Sequence, residues 1–216
     1  MRLIRLPGVH SPVSDTWMLA EAMGRETLAG ARVADLCTGT GALAIVAALA
    51  GASQATAVDL TWRASCCAVL NARLHRVRVN VRRGDLWQPL HGETFDLIVS
   101  NPPYIPAATD EPPRRAALIP LDAGRGGRAL LDRLCRDAPA HLSPGGSILL
   151  VHSSICGTDE SLIAMRQAGL RAEVVLSRTG PLGPVMRQRA AMMRRRGQLG
   201  VADVEDIVVV RGTRPR

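Results

Sequence analysis

Short apolar runs of five or six residues recur along the chain between longer stretches of small apolar and polar side chains. Arg32–Leu36 reads as a first strand, ending at Cys37-Thr-Gly-Thr-Gly41, and the apolar stretch Ala42–Ala50 reads as the helix after it. Gln54–Val58 predicts a second strand and Thr61–Leu74 a second helix. Val77–Val81 alternates with period two, and Phe95–Val99 reads as a buried strand. Gly127–His141 predicts a helix whose last turn Pro139 disturbs, Ser143–Gly146 a turn, and Ser147–Val151 a strand. A helix over Asp159–Ala168 and strands over Leu170–Ser177 and Asp206–Val210 complete the pattern. Strands alternating with crossover helices predict an α/β fold, an open and mostly parallel sheet with helices on both faces. A single domain is expected over residues 1–210, with a frayed tail at 211–216.

Ligands of such sheets sit outside the carboxyl ends of the strands. Taken in order, those ends carry Asp35 and the glycine loop, Asp59, Asp85, Asn101-Pro-Pro-Tyr104, and His152-Ser-Ser154. Solvated loop residues have no reason to fall in that register.

The glycine loop alone leaves the ligand open, because Gly39-x-Gly41-x-x-Ala44 also satisfies a loose dinucleotide fingerprint. Asp59, at the end of the second strand, is placed to accept from ribose hydroxyls, which nicotinamide and S-adenosylmethionine sites share. Asp35, on the strand itself, can face a cationic aminoacyl end, and Asp85 can accept from an adenine amino group. These two tip the balance away from a dehydrogenase. Taken one at a time, each aspartate could equally cap a turn.

Asn101-Pro-Pro-Tyr104 follows an apolar strand directly. Its prolines lack amide hydrogens and fix their own φ angles, so the loop is stiff. The Asn101 side-chain oxygen and the Pro102 carbonyl can together accept both hydrogens of a planar NH₂ group. Tyr104 offers that group a flat face. The competing reading is a rigid turn with Tyr104 as an anchor.

Composition narrows the picture. Charged residues make up 21% and apolar ones 47%, a globular balance. The longest apolar stretch, Ala42–Ala52, is about half a membrane span. Five scattered cysteines, Cys37, Cys66, Cys67, Cys135 and Cys156, form no metal-binding or disulfide pattern, and a cytoplasmic location is expected. The net charge of +8 invites a nucleic-acid partner, with Arg187, Arg189, Arg194, Arg195 and Arg196 as the candidate RNA contact. Yet all 27 basic residues are arginine, as codon bias produces, and aromatic residues are only 2%. Few rings are left for stacking on bases. His152 is either a proton acceptor or a neutral histidine bonded to nearby backbone, the second being preferred. Cys66 and Cys67 read as small buried residues of a helix.

The pattern Asp35-x-x-x-Gly39-x-Gly41, Asp59, Asp85 and Asn101-Pro-Pro-Tyr104 resembles the class I S-adenosylmethionine-dependent methyltransferases. Within them it is most similar to the HemK/PrmC-type glutamine methyltransferases of translation release factors. Ser14-Asp-Thr16 ahead of a first helix, and the glycine-rich segment Leu121–Arg133, carry the same resemblance. It covers residues 12 to 152 and points to the short branch without a helical recognition domain. Cys37 departs from it, standing where the family has a glycine, as do Arg125 and Arg128, where relatives often carry an acid.

The resemblance implies S-adenosyl-L-methionine as cofactor, held by Asp15, Thr16, Asp35, Thr38, Gly39, Gly41, Asp59, Leu60, Asp85, Leu86 and Asn101, and no metal. It implies Asn101, Pro102, Pro103 and Tyr104 as the catalytic segment. The implied acceptor is the glutamine of a release factor's Gly-Gly-Gln loop, and the short relatives work with a small activator protein. The alternatives are methylation of an exocyclic base nitrogen in ribosomal RNA or DNA, and a cofactor-binding subunit without catalysis.

Overall fold

The computed structural model describes residues 1–113 and 118–216. In chain order the elements are α1 (Ser14–Met23), β1 (Arg32–Leu36), α2 (Ala42–Leu49), β2 (Gln54–Asp59), α3 (Trp62–Leu74), β3 (Asn80–Arg83) and β4 (Phe95–Ser100). They continue with α4 (Ala129–His141), β5 (Leu142–Ser153), α5 (Thr158–Gln167), β6 (Arg171–Pro181), α6 (Pro184–Arg195) and β7 (Val204–Thr213). The seven strands form one sheet in the order β3-β2-β1-β4-β5-β7-β6. All neighbours run parallel except β7, which is antiparallel to both β5 and β6.

Period-two geometry divides the apolar side chains between two faces. Ile98, Ile148, Leu150, Val208 and Val210 pack with Leu131 and Leu134 of α4 and Met165 of α5. Their chain neighbours Leu97, Val99, Leu149, Val151 and Val209 pack on the other face with Met18, Leu19 and Met23 of α1 and Leu43 of α2. Strands buried on both faces read as continuous apolar runs, which is why β4 and β5 stand out in the sequence.

Four expectations are corrected. The Ser143–Gly146 turn lies inside β5: Phe95 stands opposite Leu142 and Leu97 opposite Ser147, so the intervening residues bulge out of the ladder. The tail is not frayed, because β7 continues to Thr213 and the Arg214 guanidinium donates to the Leu142 carbonyl at 2.5 Å. β3 begins at Asn80 rather than Val77, whose N–H closes the end of α3 on the Ala72 carbonyl at 3.0 Å. Ser14, Asp15 and Thr16 do not precede the first helix but form its first turn.

No helix among the described residues is long and apolar enough to cross a membrane.

Candidate active site

The chain moves outward from β1 through β2 to β3, then resumes at β4 on the other side of β1. That switch point leaves a crevice at the carboxyl ends of β1 and β4, where ligands of open α/β sheets bind. A cavity of about 1010 Å³ lies there. Asp15, Thr16, Asp35, Thr38, Gly39, Asp59, Leu60, Asp85, Leu86 and the whole Asn101–Tyr104 segment line it. Gly41 stands behind the wall, where a Cβ would lie 2.9 Å from the Ala68 Cα, so a glycine there lets α2 approach α3.

Asp35 is buried at 1% exposure. Its Oδ2 accepts from the Thr38 hydroxyl at 2.5 Å and from the Ala44 N–H at 3.1 Å. Burial outweighs those bonds and pushes its carboxyl up to about 7. A buried acid with no cation paired to it among the described residues fits a positively charged ligand group. Asp59 accepts from Gly39 N–H through one oxygen and from the Thr61 N–H and hydroxyl through the other, at 2.9 to 3.1 Å. A carboxylate has about four acceptor positions, so roughly one remains for a ligand hydroxyl. Asp85 is half exposed and paired with Arg133 of α4 at 2.8 Å, a partner that no local sequence pattern announces.

Asn71, fully buried, also escaped sequence reading. Its amide donates to the carbonyls of Thr40 and Ile4, both at 2.9 Å, and its oxygen accepts from the Ile4 N–H. It ties the glycine loop to the N-terminal segment. The available signal was helical spacing, which places Asn71 on the same face as Ala64, Cys67 and Ala68.

Across the crevice, the Asn101 amide donates to the Thr16 hydroxyl at 3.0 Å. With the amide turned this way, Oδ1 has no hydrogen bond among the described residues. The Tyr104 hydroxyl donates to Asp15. Burial and the adjacent Asp15 carboxylate push the phenol well above its ordinary value, so it stays protonated. Asp15 and Thr16, expected at the cofactor, therefore also hold the Asn101–Tyr104 segment.

The glycine-rich segment runs beside that loop. Ile105 bridges to Asp122, and the Ala107 N–H donates to the Gly124 carbonyl at 2.8 Å. Gly127, with φ of +71°, sits where a Cβ would collide with the Tyr104 carbonyl oxygen. Arg128 donates to the carbonyls of Cys156 and Gly157 at 2.6 and 2.9 Å, so a base here braces the loop after β5.

Four of the five arginines considered for RNA contact have partners inside the chain. Arg187 donates to the Leu182 carbonyl, and Arg189 to the Pro106 carbonyl with an ion pair to Asp122. Arg194 holds the Gly200 and Val201 carbonyls and Asp203. Arg196 donates to the carbonyls of Ala107 and Ala108 at 2.8 and 2.9 Å. His152 is not in the cavity wall. It is fully buried, its Nδ1–H donates to the Ser153 carbonyl at 2.9 Å, and burial lowers its pKa to about 4. Cys67 is buried as expected, whereas Cys66 is exposed. Cys37 takes a left-handed φ of 58°, the conformation expected of a glycine in its place. No cluster of three or more potential metal ligands occurs among the described residues.

Sheet order, glycine loop, acidic strand ends and cavity together define a class I S-adenosylmethionine-dependent methyltransferase. The match to the methyltransferase small domain over residues 1–119 makes the chain a member of that family. Among its relatives is a Methanocaldococcus jannaschii protein named as a protein N5-glutamine methyltransferase. The two are 30% identical over 168 residues, 78% of this chain and 84% of that one. A release factor glutamine methyltransferase of Xylella fastidiosa is 44% identical over 133 residues, 56% of this chain and 46% of the relative. The chain thus spans about half the length of that bacterial relative. Among solved structures, the E. cuniculi Mtq2–Trm112 complex, responsible for methylation of the eRF1 translation termination factor, superposes with a TM-score of 0.66. It is 25% identical, with 96% of this chain and 99% of that chain covered.

Proposed function

We propose that this chain transfers a methyl group to the side-chain amide nitrogen of a glutamine, and that the glutamine lies in the Gly-Gly-Gln loop of a peptide chain release factor. The observation that carries the reading is Asn101, which lines the cavity with its amide NH₂ on the Thr16 hydroxyl and its oxygen without a partner among the described residues. That oxygen and the carbonyl of the next residue, Pro102, are two acceptors that suit the two hydrogens of an NH₂ group. The relatives' names agree on a glutamine amide.

Asp35, Asp59 and Asp85, with the backbone of the glycine loop, are the residues that would hold S-adenosylmethionine. When bound, it supplies an electrophilic methyl group. An amide nitrogen is a poor nucleophile because its lone pair is delocalised into the carbonyl. Hydrogen bonds from it to Asn101 Oδ1 and Pro102 O orient the nitrogen, and they strengthen as positive charge develops on it. Tyr104, protonated and held by Asp15, packs the acceptor and is not the base. After alkylation the nitrogen is cationic and strongly acidic, so it releases its proton readily to water.

Engagement of Arg187, Arg189, Arg194 and Arg196 within the chain weakens the RNA reading. A second protein acceptor has specific support. A ribosomal protein uL3 glutamine methyltransferase of Bradyrhizobium diazoefficiens is 42% identical over 125 residues, 55% of this chain and 39% of that one. The Mtq2 neighbour was solved with Trm112, and a small activator partner belongs to the proposal. The test is transfer of labelled methyl to release factor, uL3, ribosomal RNA and DNA side by side. One added methyl on the release-factor glutamine, lost when that glutamine becomes alanine, is expected. Label in uL3 or RNA with the release factor untouched would reassign the acceptor.

A further inference from the structure

Residues 182–203 interrupt the β6–β7 hairpin and carry α6 back over the acceptor loop. Leu182, Met186, Ala190, Met193 and Leu199 form a small apolar core that packs against Tyr104 and Ile105. Arg189 and Arg196 fasten the same insertion to the carbonyls of Pro106, Ala107 and Ala108. The insertion is thus a fixed wall of the cavity on the acceptor side, not a loose connection.

Glu205 lies at the foot of that wall, opposite Gly180 in the β6–β7 ladder. It is 8% exposed and lines the cavity with Asp15, Tyr104, Pro181, Met186 and Ile207. One carboxylate oxygen, Oε1, accepts from the Gly183 N–H at 3.1 Å. The other, Oε2, is buried and has no hydrogen-bond partner among the described residues. No ion pair reaches this carboxylate among those residues either. An unpaired buried carboxylate oxygen is costly, and the cost is relieved when a ligand supplies the donor.

We infer that Glu205 is an acceptor-binding residue whose Oε2 takes a main-chain N–H of the protein segment carrying the target glutamine. The carboxylate already serves as an amide acceptor through Oε1. Its neighbours Pro181, Met186 and Ile207 are apolar, so a neutral peptide N–H enters without the desolvation penalty of a charged side chain. Tyr104 lines the same cavity as Glu205, which sets this contact on the proposed acceptor side. A glycine-flanked glutamine suits such a wall, because side chains do not obstruct approach of its backbone.

The inference deepens the proposed function and rests on a protein acceptor. Wild-type enzyme is first assayed with whole release factor and whole uL3, which decides that reading independently. Whichever protein is labelled then serves for comparing wild type with Glu205→Gln. Glutamine keeps an oxygen for the Gly183 N–H but presents a donor where Oε2 stood. The acceptor KM is expected to rise about tenfold or more, the scale of one lost charge-assisted hydrogen bond. S-adenosylmethionine affinity should stay as in wild type, the thermal unfolding midpoint should not fall, and kcat should change less than KM. Glu205→Asp, which keeps the charge but withdraws it, should raise KM likewise and covers a failure of the first variant to fold. An unchanged KM in a folded variant overturns the inference. So does a loss of cofactor affinity that accounts for the whole effect.

Discussion

On the β1–β2 side of the cavity, Asp35 and Asp59 are held by partners within twenty positions in the chain. Asp35 is fixed by residues three and nine positions away, and Asp59 by residues two and twenty positions away. On the proposed acceptor side the partners are remote: Asn101 and Thr16 are 85 residues apart, Tyr104 and Asp15 are 89, and Arg196 and Ala107 are 89. The first rim is set by strand-turn-helix geometry and exists once β1, β2 and α2 have formed. The second exists only when α1, the segment after β4 and the β6–β7 insertion have come together. Loop closure makes such contacts costlier to form, so this second rim depends on the whole fold where the first depends on its neighbourhood.

The largest expected effect separates the two rims by function. Asn101→Ala removes the freed oxygen of the acceptor rim and touches nothing that holds Asp35 or Asp59. Turnover should fall roughly a hundredfold or more, the usual cost of a lost transition-state hydrogen bond, with S-adenosylmethionine affinity within a few-fold. Calorimetry and single-turnover kinetics on the same preparation check both halves. Parallel losses of turnover and cofactor affinity would mean that the rims are not independent.

Next in size is a matched pair of glycine substitutions. Gly41→Ala drives a Cβ against Ala68 at 2.9 Å, and Gly127→Ala drives one into the Tyr104 carbonyl oxygen. Both positions have left-handed φ, so each should cost about 2–3 kcal/mol in unfolding free energy through strain and overpacking. Their functional marks should differ. Gly41→Ala is expected to weaken cofactor binding, and Gly127→Ala to raise the acceptor KM. Denaturant titration combined with both affinities tests this; identical functional profiles would erase the distinction.

The contrast between the rims also explains what the sequence could reveal. β1, β2 and β4, and the acids at their ends, are legible because alternation, burial and turn chemistry are local signals. Asn101-Pro-Pro-Tyr104 is legible for the same reason. Arg189 and Arg196 read as surface charge, because the carbonyls they bind leave no trace in the sequence. Glu205 sits in the polar run Asp203-Val-Glu-Asp206 and looks like a solvated loop residue until β7 is seen to begin at Val204. The Ser143–Gly146 segment misleads in the opposite direction. Its composition is that of a turn, but β5 absorbs it as a bulge whose Gly145 and Gly146 pair with Arg214.

The smallest effect is a pH dependence confined to the cofactor rim. In the unfolded chain Asp35 titrates near 3.8, and burial in the fold raises it to about 7. Between those values the folded chain retains a proton that the unfolded chain has released. Stability contributed by this group is therefore fully present below pH 3.8 and lost as pH rises toward 7. Binding of a cationic ligand group needs the ionised form, so the linkage runs the other way for affinity. S-adenosylmethionine should bind about tenfold more weakly at about pH 6 than at about pH 8, with proton release on binding near pH 6 to 7. Asp35→Asn should remove that slope, making the ligand-free protein no less stable at about pH 8 while lowering cofactor affinity. Calorimetry in buffers of different ionisation enthalpy reads the proton directly. A pH-independent affinity in the wild type would mean either that Asp35 is already ionised at about pH 6 or that it does not face the cation, and the cofactor affinity of Asp35→Asn separates the two.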